Sequence, residues 1–152
     1  HFIDFVCFMI NDIPLSVQVT ALPGSNMHQN DNVTMVFEFP NGSIGVVEYL
    51  SNGPKTFPKE MVEVFQQGKA ARLDDFRTLS LATHSNRKTT RANLRQDKGH
   101  KASWMAFVEN IGKGQVSIPY RQLVGVTKAS FAAVESLRSG EKVAIADLWS
   151  EG

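Results

Sequence analysis

Cysteine is nearly absent from this sequence of 152 residues, which contains only Cys7. A single cysteine cannot form an internal disulfide, and its rarity is typical of a protein that works in a reducing compartment. Cys7 lies between two apolar residues in a helical pattern, where a thiol packs in the core more often than it acts as a nucleophile. We therefore expect a cytoplasmic protein in which Cys7 is structural.

Clusters of metal-binding residues are also missing. The four histidines are scattered along the chain: His1, His28, His84 and His100. None of them lies at ligand spacing from the cysteine. The sequence predicts no metal site.

Long hydrophobic runs and strong net charge are absent too. The longest apolar run near the start, Phe5–Ile10, is too short to span a bilayer, and Asp4 with no basic segment before it argues against a secretory signal. A formal net charge of +1 with 20% charged residues neither favours nor excludes a charged partner. The length suits one domain, so we expect residues 1–152 to form a single domain with no membrane partner.

A glycine-rich phosphate loop is the last notable absence. Gly112-Lys113-Gly114 lacks the third glycine and follows a predicted helix, whereas a dinucleotide-binding loop follows a strand. The chain alone is therefore not expected to bind a dinucleotide cofactor.

What the sequence does contain is a strong hairpin signal at Asn32–Asn52. Apolar residues alternate with polar ones before Phe39–Ser43, whose Pro, Asn and Gly favour a tight turn. The second face mixes Val36 and Glu38 with Val47 and Tyr49, so it is neither clean core nor clean surface. We predict that this hairpin is the centre of an antiparallel sheet whose second face meets water or a partner.

The remaining patterns surround that hairpin with further strands and with helices. Helical spacing predicts helices at His1–Ile10, from His100 to Gly112 and from Pro119 to Gly140. Further strands are predicted at Leu15–Leu22, Met61–Gln66, Ala70–Asp74, Thr78–Thr83 and Lys142–Ile145, with a polar loop at Ser25–Asp31. The predicted fold class is α+β, an open, mainly antiparallel β-sheet of about six strands with helices packed on one face.

The segment Ser85–Lys101 is the only clear charge cluster, with six basic residues and the single acid Asp97. It can be a solvated loop leading into a helix. It can also recognise phosphate or another anion, because arginine offers a bidentate fork. Nucleic-acid binding is disfavoured, because the segment has no interleaved aromatic residue and the chain is close to neutral. We predict no nucleic-acid partner.

His1 is the most interesting titratable residue. It lies three residues before Asp4 on a predicted helix, so it can form an ordinary intrahelical pair. It can also act as a general acid/base, because histidine titrates near neutral pH.

Several stretches in a fixed order resemble the C-terminal domain of the Gfo/Idh/MocA family of NAD(P)-dependent sugar and cyclitol dehydrogenases. They are His1-Phe2-Ile3-Asp4, FEFPNGSIGVVEY (Phe37–Tyr49), FPKEMVEVF (Phe57–Phe65), LDDFR (Leu73–Arg77), RQDKGHKASWMAFVENI (Arg95–Ile111) and SLRSGEKVAI (Ser136–Ile145). The resemblance covers nearly the whole chain.

The resemblance implies a function that the patterns alone do not. It implies that the chain is the substrate-binding and oligomerisation domain of an oxidoreductase, separated from an N-terminal Rossmann domain that holds NAD or NADP. By position, His1 matches the family's catalytic histidine, which acts with an upstream acid and a lysine of the nucleotide domain. A sugar or cyclitol, or a nucleotide-linked sugar, would be the substrate, and the exposed sheet face would form dimers. A fragment of this kind would be inactive alone.

We further predict that Lys55, Lys98 and His100 contact the substrate, because cationic groups in loops near the sheet could hold hydroxyls or a phosphate. No cofactor-binding residue is predicted within the chain. A non-catalytic binding or scaffold domain, in which the sheet face only pairs subunits, remains the alternative. The substrate and the choice of NAD or NADP stay open.

Overall fold

The computed structural model describes residues 1–24, 30–92 and 96–145. The chain forms two compact units. The first combines His1–Asn52 with the chain from Ile118 onward, and the second comprises Gly53–Ser117. The single-domain assignment stays a prediction, and most of the polar loop predicted at Ser25–Asp31 lies outside the described residues.

The first unit is a four-stranded antiparallel sheet with two helices. Its elements are α1 (Phe2–Ile10), β1 (Ser16–Ala21), β2 (Asn32–Glu38), β3 (Ile44–Leu50), α3 (Tyr120–Ser139) and β8 (Val143–Ala144). The strand order is β3-β2-β1-β8. Neighbouring strands of this sheet pair antiparallel, as the sequence predicts.

The core of this unit lies between one sheet face and the helices. Val17 pairs with Phe37, and Phe37 pairs with Gly45, so these three positions share the covered face. Val17 and Phe37 are fully buried. Gly45 is required there, because a Cβ atom would lie 2.3 Å from Cγ1 of Val6 on α1. The helix therefore packs directly against the backbone of β3.

The face of α3 that meets the sheet is built from small residues. The buried residues of this helix are Gly125, Ala129, Ala132, Ala133 and Ser136. Larger apolar residues of the stripe that predicts this helix, among them Phe131 and Val134, are more than half exposed. Small side chains allow the helix axis to approach the strands closely, which explains why the bulky residues point away.

The second unit is a meander of four short strands followed by a helix. Its elements are β4 (Met61–Gln66), β5 (Lys69–Asp74), β6 (Thr78–Ala82), β7 (Arg87–Arg91) and α2 (His100–Gly112). The strands pair antiparallel in sequence order. None of the described residues of α2 is buried, so the helix is not part of a closed core.

The α+β class and the antiparallel pairing are confirmed, but the strands form two sheets of four strands. A strand inside the basic segment, β7, was not predicted, because Arg-Lys-Thr-Thr-Arg carries no apolar alternation. The hairpin is not at the centre of its sheet, since β3 is an edge strand in the described part of the chain.

The face assigned to β3 is also wrong. Opposed residues share a face, and the loop Pro40–Gly42 sets a register in which Val33 opposes Tyr49 and Met35 opposes Val47. Tyr49 and Val47 therefore lie on the covered face. The open face carries Ile44 and Val46 instead, at 67% and 53% exposure.

No helix within the described residues is both long and apolar enough to cross a membrane.

Candidate functional site

His1 begins α1 in the first unit. Its backbone carbonyl accepts a hydrogen bond from the Phe5 N–H at 2.9 Å, and its side chain is exposed. The intrahelical pair with Asp4 is not formed among the described residues, where Asp4 Oδ1 accepts a hydrogen bond from Gln122 Nε2 at 3.2 Å. The His1 side chain is thus exposed, and the Asp4 carboxylate, three residues further along the chain, is bound by Gln122 of α3.

A second polar contact joins the same two parts of the first unit. Arg121 precedes Gln122 in α3, and its guanidinium donates a hydrogen bond to Asp12 Oδ1 at 3.3 Å. Both contacts join residues more than 100 positions apart in sequence. Sequence reasoning missed Gln122 and Arg121, because nothing local marks a polar residue as the partner of a distant carboxylate.

Lys98 belongs to a cluster in the second unit. Its Nζ lies 2.6 Å from Glu60 Oε2, and it sits 5.7 Å from the centre of the Phe76 ring. Gln96 Nε2 donates to the backbone oxygen of Asp75 at 2.7 Å and to its Oδ1 at 3.1 Å. The side chains of Gln96 and Lys98 therefore hold the turn between β5 and β6.

That turn is strained. Asp75 and Phe76 both have left-handed backbone, with φ of 50° and 51°. Non-glycine residues adopt this conformation at a cost of roughly 1–2 kcal/mol each. The contacts from Gln96 and Lys98 explain how an Asp-Phe pair is kept in a turn that favours Asn-Gly.

The other two predicted substrate contacts are unengaged. Lys55 lies in the connection before β4, and His100 is the first residue of α2. Within the described ranges, neither side chain makes a hydrogen bond or an ion pair. The second unit thus contains Lys55, Lys98 and His100, while His1 belongs to the first, and the described contacts do not bring any of the four together.

An acid lies at one end of the open sheet face of the first unit. Glu38 forms an ion pair with Lys142, and its Oε2 accepts a hydrogen bond from Ser16 Oγ at 3.0 Å. These contacts, with the Lys142 ammonium first, hold the pKa of the Glu38 carboxyl below its ordinary value of 4.5. Glu38 is therefore ionised at neutral pH and is not suited to proton transfer there.

Cys7 is buried in the core of the first unit, with an exposure of 2%. Burial, reinforced by the charges of Asp4 and Asp12, raises the pKa of its thiol from 9.0 to about 11. A neutral, inaccessible thiol is not a nucleophile. No group of three or more metal-binding side chains occurs in the part of the chain that the structure describes.

Every strand pairing in residues 1–24, 30–92 and 96–145 is antiparallel. The parallel βαβ unit in which a glycine-rich turn holds the pyrophosphate of a dinucleotide is therefore not among the described elements.

Comparison with known proteins gives a match in structure and none in sequence. No family model matches the chain, and no curated protein matches it. An oxidoreductase from Agrobacterium radiobacter, solved with NAD+, L-tartaric acid and magnesium, is similar with a TM-score of 0.76 and 15% identity, over 97% of this chain and 47% of that one. Levoglucosan dehydrogenase in complex with NADH is similar with a TM-score of 0.73 and 19% identity, over 94% and 47%.

A third similar structure is the UDP-N-acetylglucosamine 3-dehydrogenase from Acidithiobacillus ferrooxidans. Its TM-score is 0.69 with 15% identity, over 90% of this chain and 44% of that one. The chain spans less than half the length of these solved proteins. The resemblance found in the sequence is confirmed in the fold: this chain has the fold of the C-terminal portion of Gfo/Idh/MocA-type oxidoreductases.

Proposed function

We propose that the chain is the substrate-binding part of an NAD(P)-dependent oxidoreductase that acts on a sugar-type hydroxyl. The observation that carries this proposal is the similarity to levoglucosan dehydrogenase over 94% of the chain, since that enzyme has been solved with NADH and levoglucosan. The cofactor would be held by another domain of a longer protein; supporting this, the chain matches only 47% of the levoglucosan dehydrogenase that was solved with NADH.

His1 would be the general acid/base of the reaction. Its imidazole is exposed, and no described side chain forms a hydrogen bond with it. An imidazole with access to solvent can take a proton from a substrate hydroxyl near neutral pH and release it to water. Asp4 is engaged by Gln122, so the proposal gives it no part in the proton transfer.

The substrate contacts would come from Lys55 and His100, whose side chains have no described partner. Lys98 remains a third candidate, but its ammonium would first have to leave Glu60. If Lys55 and His100 contact the substrate, Lys55→Ala and His100→Ala should raise KM more than they lower kcat, because each change removes ground-state binding.

The test compares the longer protein with the 152-residue chain. Calorimetry with NAD+ and with NADP+ should show binding by the longer protein and none by the chain. A screen of sugars and cyclitols with the longer protein should then find a substrate for which His1→Ala lowers kcat/KM by about 10²–10⁴-fold. His84→Ala is the matched control, because His84 is an exposed histidine in the turn before β7.

Cofactor binding without any effect of His1→Ala would remove His1 from catalysis and leave the oxidoreductase proposal standing. No binding of either cofactor by the longer protein would contradict the proposal. A non-catalytic scaffold would then be the better reading of the fold.

The open face of the first unit would form a dimer with a second copy. Supporting this, Ile44 and Val46 are successive positions of this face of β3 and are 67% and 53% exposed, and Leu50, beyond Glu48 on the same face, is 57% exposed. Val46→Glu should shift the molecular mass measured by light scattering from dimer to monomer. Val134→Glu on α3, a change at a similarly exposed valine outside the face, should leave it unchanged. A monomeric unmutated chain, or equal effects of both changes, would contradict the dimer.

A further inference from the structure

The outer edge of β7 combines free backbone groups with concentrated positive charge. All five residues of the strand, Arg87–Arg91, are exposed. Within the described ranges, no strand pairs with its outer side. A strand edge with unpaired N–H and C=O groups is a template for another extended chain.

The free backbone groups can be assigned from the pairing with β6. The Ala92 N–H donates to the Arg77 oxygen, and the Thr83 N–H donates to the Asn86 oxygen. Because hydrogen-bonded and non-hydrogen-bonded pairs alternate in an antiparallel ladder, Lys88 and Thr90 bond inward to β6. Arg87, Thr89 and Arg91 therefore direct their N–H and C=O groups outward.

The same three residues share one face of the strand, because side chains alternate with a period of two. A partner strand would place its residues directly opposite Arg87, Thr89 and Arg91 on that same face. The acids of the neighbouring strands are already used, since Glu63 and Asp74 both bind Arg72. Within the described residues, Arg87 and Arg91 have no ion-pair partner.

Charge decides which strand this edge accepts. Antiparallel self-pairing about Thr89 would put Arg87 of one copy opposite Arg91 of the other, and like charges directly opposite are destabilising. A strand with acidic residues four positions apart places one carboxylate opposite each arginine. In that register the charges disfavour pairing with a second copy and favour an acidic strand.

We infer that β7 is a docking edge for an extended acidic segment of another protein, which would add a strand to the sheet of the second unit. Main-chain hydrogen bonds to Arg87, Thr89 and Arg91 would supply part of the affinity, and two carboxylates four residues apart would supply the selectivity. This inference is independent of the oxidoreductase proposal, because it uses no residue of the candidate site.

The test uses two fluorescent heptapeptides of identical composition. In one, two glutamates lie four residues apart and so face the same side of a strand. In the other they lie three apart and face opposite sides. Fluorescence anisotropy with the 152-residue chain should show binding of the first peptide at least about tenfold tighter than the second. Equal affinities would overturn the inference, as would no binding of either.

Two variants separate strand addition from simple attraction of anions. Thr89→Pro removes an outward N–H without breaking a bond to β6, and proline is tolerated at such edge positions. It should abolish peptide binding, while Thr89→Ala, which also loses the Ser80 hydroxyl contact, should keep it. Circular dichroism must show the folded spectrum for both variants. Peptide binding that survives Thr89→Pro would contradict strand addition.

Charge reversal completes the design. Arg87→Glu with Arg91→Glu should abolish binding, whereas Lys59→Glu with Lys101→Glu, an equal change of charge outside β7, should not. A single-stranded oligothymidylate tests the competing class of partner. Tight oligonucleotide binding that falls steeply with salt and survives Thr89→Pro would make the segment a nucleic-acid site and overturn the inference.

Discussion

Gly125 allows a test of how closely α3 packs in the first unit. It lies inside the helix Tyr120–Ser139, where alanine would ordinarily stabilise by about 1 kcal/mol. Here a Cβ atom at position 125 would lie 2.5, 2.6 and 2.8 Å from Cδ1, Cγ1 and Cγ2 of Ile13. Ile13 is β-branched, so any rotation of its side chain about χ1 to another staggered position leaves a γ carbon at one of the two crowded positions and does not relieve the overlap.

The two effects oppose each other and the overlap should win. Forcing an extra carbon into a packed site costs about 1–3 kcal/mol. Subtracting the gain in helix propensity leaves Gly125→Ala destabilising by roughly 1 kcal/mol. When Ile13→Ala removes the three overlapping atoms, the propensity term remains alone. The same Gly125→Ala change should then stabilise by up to about 1 kcal/mol.

The assay is urea denaturation of the four proteins of this double-mutant cycle, followed by circular dichroism at 222 nm. The expected result is a change of sign between the two backgrounds, with a coupling energy of about 1–3 kcal/mol. Gly112→Ala is the control for propensity, because nothing lies within 4 Å of a Cβ atom there. A stabilising Gly125→Ala in the unmutated background would refute the close packing.

Two further predictions concern single side chains. Ser136 is fully buried, and its hydroxyl accepts from the Val19 N–H at 2.9 Å and donates to the Glu141 oxygen at 2.6 Å. Ser136→Ala should therefore lower the free energy of unfolding by about 1–3 kcal/mol. Ser51→Ala, at an exposed serine whose side chain has no hydrogen bond among the described residues, should change it by less than about 0.5 kcal/mol. Lys142→Met should raise the pKa of Glu38 towards 4.5, measured by NMR titration, because the ammonium is the main cause of the lowered pKa. Since that pKa is depressed in the folded state, the stabilisation is present above about pH 4.5 and is lost as the pH falls through the folded value. The variant keeps the Ser16 hydrogen bond, so this dependence on pH should become weaker.

The sequence predicts most elements because local patterns determine them. Alternating residues before Phe39 and the turn chemistry of Pro40–Gly42 identify the hairpin, and glycines at 112 and 140 mark helix ends at the positions that the structure has. The sequence does not predict the basic strand β7, because its residues show no hydrophobic alternation and its pairing with β6 is a tertiary effect.

Which face of an element is buried is harder to predict. For β3 the buried face depends on the register that the three-residue loop sets. If the alternating residues are assigned to the wrong faces, Val47 is placed on the open face and Val46 on the covered one. For α3, hydrophobicity indicates Phe131 and Val134, but the buried positions hold alanines and Gly125, and Gly125 lies against Ile13 in the connection between α1 and β1. The size of the side chains determines which residues of α3 are buried, and a hydrophobicity pattern contains no information on size.

The candidate site shows the same limit. His1 is singled out by its titration range and by a resemblance, both readable from sequence. The hydrogen bond from Gln122 to Asp4, on the same helix as His1, joins positions that are 118 residues apart. No local pattern encodes such a contact.

The arrangement of the first unit from two distant parts of the chain has a consequence for synthesis on the ribosome. Val19 and Ser136 are 117 positions apart, so β1 cannot be covered by α3 until nearly all of the chain has emerged. The four strands of the second unit pair only with their neighbours in sequence, and local pairings close with less loss of chain entropy. We expect the second unit to fold before the first is complete, and the apolar face of the hairpin Asn32–Leu50 stays uncovered until α3 has been synthesised.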